Sequence, residues 1–81
     1  MALLDDLANA LALDTVKAME ELGDDRLFEE ISKVLGAASP TVQEAYMTSI
    51  RFLLAEKRGR KALEALLEKA RAEKGRPGSA A

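Results

Sequence analysis

The 81-residue chain is of single-domain size, and a core that small gives only marginal stability by itself. It holds no Cys, His or Trp, which excludes a disulfide framework, a thiolate metal site and the commonest nucleophile–base pairings. The net charge of −2 hides a division: residues 1–50 set Lys17, Arg26 and Lys33 against ten acids, a net −7, while residues 51–81 set nine Lys and Arg against four Glu, a net +5.

Leu and Ala are abundant while Val, Ile, Thr and aromatic residues are sparse, so an all-α fold is expected. Asp5 and Asp6 follow Met1 to Leu4 at once, where a signal peptide needs an unbroken apolar run. No window approaches the ~20 apolar residues of a membrane span. A soluble cytoplasmic protein is the expectation. The charge division favours packing of the two halves against each other, or an antiparallel arrangement of two chains. A basic arm for an acidic partner is the sharper reading, but Glu interleaves with the basic residues as on a solvated helix face.

Taken in order, residues 3–22 predict an amphipathic helix: Leu4, Leu7, Ala8, Leu11, Ala18, Met19 and Leu22 recur at three- and four-residue spacing. Asp5 and Asp6 suit the positive end of its dipole, and Gly23 closes it as a left-handed C′ residue. Leu13 projects off the main stripe. A second helix is expected over 25–35, N-capped by Asp24 or Asp25, with Leu27, Phe28, Ile31, Val34 and Leu35 on one face and Gly36 ending it. Ser39 as N-cap and Pro40 at the first helical position mark the start of a third helix over 40–58.

That third helix is apolar around well over half its circumference, through Val42, Ala45, Tyr46, Met47, Ile50, Phe52, Leu53 and Leu54. A helix so apolar needs neighbours on most sides, which makes it the centre of the fold. Gly59, set among Lys57, Arg58, Arg60 and Lys61, predicts a break, since mid-helix glycine costs about 1 kcal/mol relative to alanine. A bent but continuous helix is the alternative, because no good N-cap follows. A fourth helix over 60–74 then carries Ala62, Leu63, Leu66, Leu67 and Ala70 along one side, and 75–81 forms a flexible tail. The expected architecture is a small four-helix orthogonal or irregular bundle in one domain, 1–74, around the hydrophobic third helix.

The acid pairs Asp5–Asp6, Glu20–Glu21, Asp24–Asp25 and Glu29–Glu30 spread their carboxylates about 100° apart on a helix instead of converging them. None follows calcium-loop spacing, and the glycines form no phosphate-binding cluster. Caps and solvated faces account for them, so no catalytic, cofactor or metal site is expected. Two binding roles follow instead. Residues 27–46, a helix, a glycine-containing turn and a Ser-Pro-started second helix, resemble a helix-turn-helix, which would imply DNA binding through the second helix. Thr41, Gln43, Arg51, Lys57, Arg58, Arg60 and Lys61 would then contact nucleic acid. Glu29, Glu30 and Glu44 oppose that reading, because affinity rests on cations beside phosphates. The preferred reading is a non-catalytic interaction module, a homodimer or a subunit bound to another protein, with Leu13, Met47, Phe52 and Leu54 as surplus apolar surface for the contact.

Overall fold

The computed structural model describes residues 2–75; Met1 and the expected flexible tail from Arg76 onward lie outside the described residues. Three helices make up the all-α fold: α1 (Ala2–Leu22), α2 (Leu27–Ala38) and α3 (Pro40–Gly75). The expected four-helix count is corrected at Gly59, through which α3 runs without interruption. Breaking there would leave the last carbonyls of one helix and the first amides of the next without partners, and neither Arg60 nor Lys61 can cap. A salt bridge spans the position instead, with Arg60 Nε and Nη2 donating to Glu56 Oε2 at 2.9 and 2.6 Å. Gly75, assigned to the tail from sequence, is the last residue of α3.

The direction of the helices follows from their contacts. Ser49 donates to Asn9 Oδ1 at 2.6 Å and Lys57 pairs with Glu20 at 3.0 Å; both partners advance together along the chain, so α1 and α3 run the same way. A one-residue joint at Ser39 turns α2 back against α3. Ser39 Oγ accepts from the Val42 amide at 3.3 Å, the N-cap expected for α3, and its own amide donates to the Leu35 carbonyl at 2.7 Å, which also closes α2.

The other two boundaries have different causes. Gly23 takes φ +67°, and the Asp24 amide reaches the Met19 carbonyl at 3.1 Å, the six-to-one bond of a left-handed helix stop. Asp24 accepts from the Arg26 amide at 2.9 Å in a turn that precedes α2, whose first residue is Leu27; the expected cap directly on the helix is absent. Gly36 does not end α2, which continues to Ala38. A Cβ at Gly36 would meet Gln43 Nε2 at 2.6 Å, and that same nitrogen donates to the Ser32 carbonyl at 2.9 Å. The glycine leaves room for the amide end of a side chain from α3, which bonds to α2 across the hairpin.

The core is narrow. Ala8 and Ala12 of α1 bring its backbone close to α3, and Tyr46 and Ile50 fill the space, both essentially inaccessible. Leu53 and Leu54 flank them half-buried. Burial of a tyrosine needs a partner for its hydroxyl, and Thr15 supplies one: Tyr46 Oη donates to Thr15 Oγ1 at 3.0 Å, and Thr15 donates onward to the Leu11 carbonyl at 2.8 Å. Burial pushes the Tyr46 phenol above its usual range, partly offset by the bond to Thr15.

Removing either end of that relay should have unequal effects on denaturant midpoints. Tyr46→Phe loses one hydrogen bond and should cost about 1 kcal/mol, whereas Thr15→Val strands the buried phenol and should cost roughly 1–3 kcal/mol. Because the folded phenol titrates above the unfolded value of 10.0, the neutral tyrosine contributes stability below about pH 10 that is lost as pH rises through the folded pKa. A tyrosinate absorbance titration should therefore show ionisation in the folded protein above that of the unfolded chain. The two glycines should also separate. Gly36→Ala displaces the Gln43 bond, so the helix-propensity gain is cancelled or reversed, while Gly59→Ala, with open space around it, should slow amide exchange along α3, consistent with a gain of up to about 1 kcal/mol.

Candidate interaction surface

Past Lys57 every residue of α3, 58–75, is exposed, about 27 Å of helix at 1.5 Å per residue. The molecule is correspondingly elongated, 62 × 28 × 13 Å. Most helices in proteins draw their stability from packing an apolar face. This one carries Leu63, Leu66 and Leu67 at 53, 65 and 40% exposure, with no other helix against them. The sequence puts these leucines along one side of an expected fourth helix; without the break at Gly59 that side continues α3 beyond the bundle.

The four residues expected to form surplus apolar surface divide into two pairs. Phe52 is the most exposed large apolar residue described, at 71%, and Leu13 is exposed at the edge of α1. Met47 and Leu54 pack half-buried against the core on the α2 side of α3. Leu13 and Phe52 are thus available from outside the chain. Met47 and Leu54 are committed within it.

Two grooves flank the base of the projecting helix. One, of about 780 Å³, opens between the three helices, floored by Met19, Phe28 and Leu54. Its rim mixes Glu20, Asp25 and Glu29 with Arg26, Arg58 and Lys61, so it selects no single charge. The second, of about 390 Å³, runs between α1 and α3 past Leu13, Val16 and Leu53, again under a mixed rim of Glu56, Arg60 and Glu64.

The residues expected to touch nucleic acid also divide into two sets. Gln43 donates its amide to Ser32, Lys57 pairs with Glu20, and Arg60 pairs with Glu56, which also holds its guanidinium above the usual range. Thr41, Arg51, Arg58 and Lys61 are exposed and share one side of α3: at about 100° per residue Arg51 and Arg58 lie about 20° apart, Lys61 about 60° from Arg58 and Thr41 about 80° from Arg51. Among the described residues no group of acids is placed to hold a metal ion, and no helix is long and apolar enough to cross a membrane. Compared with protein-family models, with curated proteins and with solved structures, the chain matches none.

Proposed function

We propose that the chain is a non-catalytic helical interaction module that associates with itself through the outer face of α3. The observation that carries this reading is the run of exposed apolar side chains, Phe52 and then Leu63, Leu66 and Leu67, on a helix that leaves the bundle and continues alone. Large apolar residues grouped on one exposed surface mark a contact site, and a twofold contact is the commonest way to bury one. The absence of His and Cys from the sequence supports the non-catalytic part.

DNA binding through residues 27–46 has less support. The side chain of Gln43, near the start of the second helix of that motif, is used inside the hairpin, and Glu44 is exposed beside it.

Sedimentation equilibrium should show a dimer at micromolar concentration. Phe52→Glu should yield a folded monomer, because the side chain it replaces touches water, whereas Met47→Glu should lower the thermal midpoint by placing a charge against the core. A wild-type monomer at high micromolar concentration would remove self-association. Fluorescence anisotropy with duplex DNA at two salt concentrations should give no salt-dependent binding; tight binding with a steep salt slope would favour the DNA reading.

A further inference from the structure

Continuity through Gly59 has a geometric result. At about 100° per residue, Phe52, Ala55, Gly59, Leu63, Leu66 and Ala70 fall along one line of α3. That line lies roughly 145° around the helix from Tyr46 and Ile50 and spans about 27 Å. Its large members are exposed, and a Cβ at Gly59 would meet nothing within 4 Å. The stripe therefore faces away from the bundle along its whole length, with open space at its centre.

We propose that this stripe is a self-complementary seam on which two copies of the chain pair antiparallel, with the twofold axis near residue 61. This rests on the self-association proposed above and specifies its surface and register. Read forwards, the stripe runs large, small, small, large, large, small; read backwards, every large residue falls on a small one. Phe52 meets Ala70 of the second copy, Ala55 meets Leu66, and Gly59 meets Leu63, each pair occurring twice. Interfaces gain from such interlocking of large and small side chains. A parallel pair would put Phe52 on Phe52 and Gly59 on Gly59, a clash followed by a gap. That reversal symmetry is what identifies the occupant as another copy of α3, since an unrelated helix has no reason to carry the same order inverted.

Area agrees with it; charge is mixed. Glu56, Arg60 and Glu64 lie on the α1 side of the stripe, where they line the smaller groove. In an antiparallel pair the same flanks meet, so Arg60 of each copy, still bridged to its own Glu56, lies between Arg60 and Glu64 of the other, and the four carboxylates of Glu56 and Glu64 outnumber the two guanidinium groups. Arg71 and Lys74 then lie alongside the second copy's α1, whose near edge carries Leu13 and, seven residues before it, Asp6. Leu67, at the edge of the stripe, comes beside Leu13 and Glu56 in the same arrangement. Counted on both copies, Leu13, Phe52, Leu63, Leu66 and Leu67 with the intervening alanines bring the contact to the order of the ~1,000 Å² that a specific interface needs.

The test compares wild-type protein with Gly59→Leu by sedimentation equilibrium and circular dichroism. Gly59→Leu fills open space in the monomer and improves helix propensity, so helix content should be kept or raised. In the dimer it overfills the seam at two places, and association should weaken by roughly tenfold or more. Gly59→Leu combined with Leu63→Ala should recover part of the loss. Mixing Phe52→Cys chains with Ala70→Cys chains should give the mixed disulfide in preference to either homodimer, because only that pair is close enough to bridge. A monomeric wild type would defeat the seam and the self-association together. A dimeric wild type that Gly59→Leu leaves unchanged, or a preferred Phe52→Cys homodisulfide, would defeat the seam while leaving self-association standing.

Discussion

The unbroken course of α3 through Gly59 governs the rest of the molecule. A glycine in mid-helix loses about 1 kcal/mol to alanine, but a break would have to satisfy several backbone groups at once, and the residues that follow offer no cap. The Glu56–Arg60 bridge, one turn long, lies across the weak point. Because the helix does not turn back, its second half cannot join the bundle, and the apolar residues it carries are presented outward. The same continuity brings Phe52, four turns before the last leucines, into line with them. One local choice of backbone therefore decides both the length of the molecule and which apolar side chains it leaves exposed.

Within the bundle the governing feature is close approach. Ala8 and Ala12 keep α1 near α3, and on the other side Gly36 leaves room for the Gln43 amide that bonds α3 to α2. Tyr46 and Ile50 occupy what remains. This gives a tight but small core, in which one phenol with a satisfied hydroxyl does much of the filling. A core with two large fully buried side chains sits at the low end of what sustains an isolated domain, and burial of the outer face of α3 would add to it through association.

Much of the fold is legible in the sequence where local chemistry decides it. Ser39-Pro40 marks the start of α3 and Gly23 the end of α1, each through a single residue's preference, and the periodicity of Tyr46 and Ile50 points them at the core. Gly36 and Gly59 misled for opposite reasons. A glycine that ends a helix and one that admits a neighbour look alike in sequence, so Gly36 read as a stop when its role is set by Gln43, seven residues later. Gly59 read as a break because it sits among Lys57, Arg58, Arg60 and Lys61 and a mid-helix glycine costs about 1 kcal/mol, while the lack of a cap after it pointed to the continuous helix that forms. Thr15 gave no signal at all: its place as acceptor for Tyr46 depends on a contact 31 residues away. Of the residues read as surplus apolar surface, Leu13 and Phe52 are exposed, whereas Met47 and Leu54 are half-buried against the core, since the position of α2 around α3 is not a local property.

The most direct measurement of the central claim is a distance along α3. Spin labels at the exposed positions Thr48 and Lys69, in doubly labelled chains diluted into unlabelled protein, should give one narrow distribution near ~32 Å, the length of 21 residues of straight α-helix. A much shorter or a bimodal distribution would mean that the chain bends or breaks at Gly59, and the outward face from Phe52 to Ala70 would not exist as one surface.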